Sequence, residues 1–366
     1  MSRRGENIFK RRDGRWEGRY ISGRRADGKA KYTSVYAHSY AECSAKLLNA
    51  KMHRLPVSGV MTINELFNAW LLARKNAIKE STYATYMNLY NSYVSEKLGG
   101  HKVSMVTSNM LDRYADDLMN SESKRRARLS AATVQSVLIM LRSMFDYAEM
   151  VYGFTDPAKN LNLPRSEALE ISVFSDEEVR RIRSAADMNN TYELGIVLCL
   201  YTGLRIGEIC ALTWGNIDTE NAVLSVRHTL SRIKNTAGDP KTKIIITEPK
   251  SRKSIRDIPL PQNLLERLSE MKRNSSDNDY FLTGSNKIIE PRSYQYHYEK
   301  LLKSANVPYR KFHNLRHTFA TTCIKKGIDV KTVSELLGHS SVKVTLERYM
   351  HTDMELKREK LAGLYE

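Results

Sequence analysis

The sequence predicts a mainly α protein with small β elements, an α+β chain of three domains. Three observations carry that expectation. Apolar residues recur at helical spacing over most of the chain from Met61 onward. Short alternating segments separated by turn signals fill the stretch before Ala37. A strand-rich patch between Ala222 and Leu260 then interrupts the last helical region.

Residues 1–57 read as a small sheet with one helix. "ENIFKRR", the turn Asp13-Gly14 and "RWEGRYI" form a hairpin, because Asp-Gly suits a tight turn. A second turn in "RRADGKA" leads to the strand "KYTSVY", and a helix follows from Ser39. Pro56 and Gly59 mark a boundary.

Residues 58–157 read as a compact bundle of four helices. The first begins at a threonine cap in "TINELFNAWLLARKNAI". The others are "ESTYATYMNLYNSYVSEKLG", "TSNMLDRYADDLMN" and the long amphipathic "SAATVQSVLIMLRSMFDYAEMVYGF". Tyr83, Tyr86, Tyr90 and Tyr93 fall on one face of the second helix, which fits core packing or contacts to bases and sugars. Residues 158–172, nearly all of them in the Pro- and polar-rich "TDPAKNLNLPRSEALEI", read as a linker.

Residues 173–366 form the third domain. Ser175 caps its first helix, and acids sit at the positive helix end. "LGIVLCL" suggests a buried helix. "AVLSVRHTL", "KTKIIIT" and "SIRDIPL" read as strands, with Pro249 to Ser251 as the turn of a hairpin, before helices resume.

Charge restricts the partner. The formal net charge is +17, and residues 1–55 hold 14 basic and 5 acidic side chains. Such a balance favours a polyanion, with a solubilising, solvated segment as the plainer reading of the N-terminal block. Cys43, Cys199, Cys210 and Cys323 are scattered without metal-ligand spacing, so no metal and no disulfide is expected. No apolar run is long enough to span a bilayer, and the basic N-terminus lacks the apolar stretch of a secretory signal. A cytosolic protein with no membrane association is expected.

Four segments of the third domain carry chemistry-bearing residues. "YTGLRIGEICALTW" places Arg205 after an apolar helix, with Glu208 one turn on. In "EPKSRKSIRDIPL", Lys250 would project from the hairpin tip, with Arg252, Lys253 and Arg256 equally basic beside it. "FHNLRHTFATT" sets His313 and Arg316 on one helix face, with His317 turned elsewhere. "ELLGHSSVKVTLERYMH" ends a helix at Gly338, begins the next at His339 and Ser340, and reaches Tyr349. The plainer reading of each is an ordinary ion pair or solvated side chain. Together they hold the parts of a phosphoryl-transfer site: guanidiniums to grip phosphate, groups to move protons, and a phenol to attack.

The order Arg, Lys, His-x-x-Arg, His, Tyr resembles that of the tyrosine recombinases, the phage integrase family, along the whole chain. "TGLRIGEICALTW", "HNLRHTFAT" and "LLGHSSVKVTLERYMH" are similar to that family's signature boxes. The resemblance implies an arm-type DNA-binding domain in 1–57 and a helical, SAM-like core-binding domain in 58–157. It further implies a catalytic domain of tyrosine-recombinase type, with a C-terminal tail, in 173–366. Tyr349 would attack the scissile phosphate and form a 3′-phosphotyrosyl link, without metal, ATP or cofactor. Arg205 and Arg316 would hold the non-bridging oxygens, and Glu208 would buttress Arg205. Lys250 would protonate the 5′-oxygen, His313 would assist proton transfer, and His339 would bond the phosphate. Arg11, Arg12, Arg15, Arg19, Arg24, Arg25 and Lys31 would contact arm-site DNA. The partners implied are double-stranded DNA at core and arm sites, a homo-tetramer on synapsed DNA, an excisionase and a DNA-bending host protein. The setting implied is the bacterial cytoplasm, associated with the nucleoid. The tail after Tyr349 is expected to dock on a neighbouring protomer, with packing on its own domain as the alternative.

Rival classes fit less well. A metal-dependent transposase needs clustered carboxylates, and Asp116-Asp117 and Glu177-Glu178 lie in helical, solvated settings. Intact Arg205, His313, Arg316, His339 and Tyr349 argue against a catalytically dead regulator, and the basic N-terminal module favours recombination over a topoisomerase, because a two-site binder suits an integrase.

Overall fold

The computed structural model describes residues 7–24, 30–52, 61–120, 128–165, 172–235, 239–249, 252–349 and 362. Lys250, Arg25 and most of the tail beyond Tyr349 lie outside the described residues. Contacts divide the chain into two units, Met1–Ala168 and Leu169–Glu366.

The first unit begins with strands β1 (Ile8–Lys10), β2 (Trp16–Arg24) and β3 (Ala30–Ala37), antiparallel in that order. Helix α1 (Tyr40–Met52) covers one face. Alternation along the strands sends Ile8, Tyr20 and Ala37 toward Cys43 and Leu47 of that helix. Phe9, Glu17 and Tyr36 are directly paired across the three strands and so occupy the other face.

Four helices of the same unit enclose a separate core. Helix α2 (Ile63–Arg74) starts with a reciprocal Thr62–Glu65 capping box. Helix α3 (Glu80–Leu89) runs into a π-helical turn at Tyr90–Val94. Helices α4 (Ser108–Asn120) and α5 (Ala131–Tyr152) complete the bundle. The tyrosine stripe packs inward: Tyr90 stacks on Phe67 at 3.7 Å between ring centres, and Tyr86 meets Trp70. Much of the expected linker is bound structure. Ala158 and Leu161 are buried in the bundle core, because Arg142 of α5 donates to both their carbonyls and Gln135 donates to that of Pro164.

The second unit opens with α6 (Asp176–Ala185), whose Ser175 and Glu178 form a second capping box. Helix α7 (Thr191–Thr202) is apolar all round and buried, as "LGIVLCL" predicts. Short α8 (Ile206–Cys210) follows. Strands β4 (Ile217–Asp218), β5 (Val223–Val226) and β8 (Arg256–Pro259) form one antiparallel sheet, while β6 (Thr229–Lys234) and β7 (Thr242–Thr247) form a separate hairpin. The strands expected to form a hairpin around Pro249–Ser251 pair elsewhere: β7 pairs back onto β6 and β8 onto β5, and residues 250–251 between them lie outside the described residues. "AVLSVRHTL" likewise divides into two strands. Helices α9 (Gln262–Lys272), α10 (Pro291–Ser304), α11 (His313–Lys325), α12 (Val330–Leu337) and α13 (Val342–Tyr349) complete the unit. Among the described residues, no helix is long and apolar enough to cross a membrane.

Candidate active site

Helix ends converge in the second unit, and they place the charged side chains. Helix α12 closes at Gly338, which holds the left-handed conformation with φ +64. The Gly338 and His339 amides bond back to the Glu335 and Ser334 carbonyls at 2.9 and 3.0 Å, in the Schellman pattern. The next two carbonyls, of Leu336 and Leu337, are taken by guanidiniums. Arg256 Nε donates to Leu336 O at 2.6 Å, and Arg316 Nη2 donates to Leu337 O at 2.6 Å. Arg316 Nη1 also donates to Gly203 O at 2.9 Å, just past the end of α7. Both cations thus sit at the negative ends of helices.

Arg316 is 1% exposed. Burial, with the nearby Arg205 and Arg256 cations, pushes its guanidinium down to about 9, against the opposing pull of Glu208 and Tyr349. It is still protonated at neutral pH.

Glu208 ties the arginines together. Arg205 donates from Nη1 to Glu208 Oε1 at 2.6 Å, and its backbone amide donates to Oε2 at 2.9 Å. Arg256 donates to the same two oxygens at 3.2 and 2.9 Å. Burial would raise the Glu208 carboxyl, but hydrogen bonding and charge from Arg256, then Arg205, hold it at about 2. Three guanidiniums around one carboxylate leave a local excess of two positive charges. Arg205 keeps about a third of its side chain exposed, so the excess opens toward solvent.

The last helix carries the phenol. Tyr349 is 8% exposed and packs against Ala320, Cys323, Val333 and Leu337. Its hydroxyl lies 2.6 Å from His317 Nδ1. His313 sits one turn earlier on α11, its ring edge-on to His317 with centres 4.6 Å apart. His339 Nδ1 lies 2.8 Å from Oγ1 of fully buried Thr345, one turn before Tyr349 on α13. Two imidazoles thereby hold the helix that bears the phenol.

The sequence-predicted residues Arg205, Glu208, Arg316, His339 and Tyr349 are brought together, and His313 joins them through His317. Two expectations need correction. His317 does not turn elsewhere: positions four apart share a helix face as closely as positions three apart, so it lies beside His313 and faces Tyr349. His339 does not start the next helix, since it closes the α12 cap and α13 begins at Val342. Arg256, in the sequence one of several basic residues near Lys250, belongs to the cluster as well. Its alternation with Ile258 across exposed Asp257 was the available signal that it points inward. Lys253, the near neighbour of Lys250, donates to Ser340 O at 3.2 Å, beside His339.

In the first unit the basic side chains are already organised. Arg11 and Arg19 donate to buried Glu17 at 2.8 and 2.9 Å, and Arg15 pairs with Asp13. Arg11 and Arg15 each lie 5.5 Å from the Tyr36 ring centre. The Ser34 hydrogen bond, with Arg19 and Arg11 against the effect of burial, holds the Glu17 carboxyl at about 2. Arg24 and Lys31 lie on β2 and β3, and Arg12 lies in the exposed β1–β2 turn.

Comparison with known proteins then decides the family. The profile described as "Phage integrase family" matches residues 172–355. That described as "Phage integrase, N-terminal SAM-like domain" matches residues 62–119. A "Tyrosine recombinase XerC-like" protein of Caldanaerobacter subterraneus subsp. tengcongensis is 31% identical, over 90% of each chain. The chain belongs to the phage integrase family. As a tyrosine recombinase it is an enzyme of site-specific recombination. Its fold is shared by the Tn1549 transposon integrase in complex with a circular intermediate DNA (TM-score 0.67, 22% identity, 83% of this chain and 99% of that one). A lambda integrase dimer bound to a core site is also similar (TM-score 0.57, 17% identity, 96% and 99%).

One glycine of this recombinase tests how tightly the arginine site is built. A Cβ on Gly207 would lie 2.6 Å from the Leu230 carbonyl and 2.7 Å from Thr229 Oγ1, both on β6. A backbone carbonyl cannot swing aside as a side chain does. Gly207→Ala is expected to cost ~1–3 kcal/mol of stability. It should also slow strand cleavage, because α8 carries Glu208 and starts at Arg205. Calorimetry and single-turnover cleavage check this, and a variant as stable and active as wild type would refute the tight contact.

Proposed function

We propose that this recombinase cuts and rejoins double-stranded DNA through a 3′-phosphotyrosyl link to Tyr349, and that it moves a mobile element. The observation that carries the reading is the doubly positive cluster of Arg205, Arg256, Arg316 and Glu208, with the Tyr349 hydroxyl beside it on an imidazole. Arg205 and Arg316 would grip the non-bridging oxygens and stabilise the charge that grows on five-coordinate phosphorus. His339 would bond the phosphate and Glu208 would fix Arg205. Lys250 would protonate the departing 5′-oxygen, and His313 would assist proton transfer. A 5′-hydroxyl of the partner strand would then reverse the step, so bond energy is conserved and neither metal nor ATP is needed.

Residues 1–57 would bind arm sites through Arg11, Arg12, Arg15, Arg19, Arg24, Arg25 and Lys31, and residues 58–157 would bind the core site. Four protomers would act on synapsed DNA in the bacterial cytoplasm, at the nucleoid. An excisionase and a DNA-bending host protein would set direction, and the tail after Tyr349 would dock between protomers. Likeness to the Tn1549 integrase supports a transposon-type element.

The test is a nicked suicide DNA carrying the element's own core site, incubated in EDTA. The expected product is a covalent protein–DNA adduct whose peptide contains Tyr349. Abolition by EDTA, or an adduct on another residue, would sink the reading.

A further inference from the structure

We infer that His317 is the group that takes the proton from Tyr349 as it attacks, whereas the family resemblance names only His313 as assisting proton transfer. The inference rests on the reading of Tyr349 as nucleophile.

The geometry separates the two histidines. His317 Nδ1 is 2.6 Å from the Tyr349 hydroxyl, within the reach a general base requires. His313 meets the edge of the His317 ring, with centres 4.6 Å apart. His339 is turned to Thr345 by its own Nδ1. The guanidiniums cannot serve, because arginine stays protonated. The His317 imidazole thus makes a hydrogen bond to the reacting oxygen. Its ring is also fixed from two sides, by the His313 ring and by the nucleophile's own helix.

With Nε2 protonated, Nδ1 of His317 accepts the phenol O–H. As the bond from Tyr349 Oη to phosphorus forms and the bond from phosphorus to the 5′-oxygen breaks, the phenol proton moves to Nδ1. The leaving oxygen takes its proton from the general acid assigned to Lys250. In rejoining, the 5′-hydroxyl attacks phosphorus and gives its proton back to the amine assigned to Lys250, the bond from phosphorus to Oη breaks, and His317 returns its proton to the phenolate. No external oxidant or reductant is involved.

The test compares single-turnover cleavage rates of the suicide DNA by wild type, His317→Asn and His313→Asn. Each is made with tyrosine and with 3,5-difluorotyrosine at position 349. Asparagine places an amide near the Nδ1 position, so it can hold the phenol but cannot take its proton. Rate constants are compared, so a partly folded preparation does not alter the result. His317→Asn is expected to cleave ~100-fold more slowly, the usual scale of lost general-base catalysis. The more acidic difluorophenol needs less help from a base, so the deficit should shrink to roughly tenfold or less. His313→Asn should show no such shrinkage. The inference is overturned if His317→Asn cleaves within about threefold of wild type, well short of a lost base. It is also overturned if the deficit is unchanged by the acidic phenol, which would leave His317 a positioning residue. A wild-type protein that forms no Tyr349 adduct would instead remove the reading beneath it.

Discussion

Tyr349→Phe is expected to abolish the covalent DNA adduct completely while leaving the fold nearly intact. The phenyl ring keeps the contacts with Ala320, Cys323, Val333 and Leu337 that bury it. The hydrogen bond to His317 is lost from the fold, worth ~0.5–1.5 kcal/mol. What is lost from the reaction is the attacking atom itself, which no neighbouring group can supply in the same position. DNA affinity should be unchanged, because the guanidinium cluster is untouched. Tyr365, close to the end of the sequence, is the control, and Tyr365→Phe should form the adduct at the wild-type rate. Denaturing gel shifts with the suicide DNA measure both variants. An adduct that survives Tyr349→Phe would remove Tyr349 from the mechanism.

The helical parts were legible because periodicity and caps are local. Thr62 and Ser175 each announce a helix start that the structure shows as a full capping box. The apolar run in α7 could only be buried. Strand pairing was less legible, since it depends on partners distant in sequence. Nothing local distinguishes β7 turning back onto β6 from β7 turning forward onto β8. The stretch 158–165 read as linker for a similar reason: its carbonyls are claimed by Arg142 and Gln135, which precede it on α5. Within the site, residue types and order were visible, but contacts were not. Arg256 belongs to the cluster because α12 presents a carbonyl to it and Glu208 two oxygens, and neither is near it in sequence. The His317 contact turns on the return of α13 against α11, a tertiary fact that helix spacing alone leaves open.

Glu208→Gln is expected to be the most destabilising single substitution at the site, and pH identifies the cause. The side chain is almost the same size, so packing changes little. The charge that offsets three guanidiniums is removed, and Arg205 and Arg256 lose their common anion. Breaking a buried ion pair by removing one partner costs ~3–5 kcal/mol. The lowered carboxyl pKa points to a cost of the same order. Glu208 is held at about 2 when folded, against roughly 4.3 for an unperturbed glutamate, which corresponds to ~3 kcal/mol of stability at neutral pH. The folded value lies below the unfolded one. That contribution is therefore complete above about pH 5 and is lost as pH falls from there toward about 2. Other carboxylates titrate in the same range but are present in both proteins. The stability gap between wild type and Glu208→Gln isolates this one group. Unfolding free energies at pH 7 should differ by ~3 kcal/mol or more, and at pH 3 the gap should be clearly smaller. Cleavage should fall by ~100-fold or more, because Arg205 is no longer held toward the phosphate. A gap that stays constant with pH would mean that Glu208 acts through shape and not through charge. The account of the cluster as a phosphate site poised by one buried carboxylate would then fail.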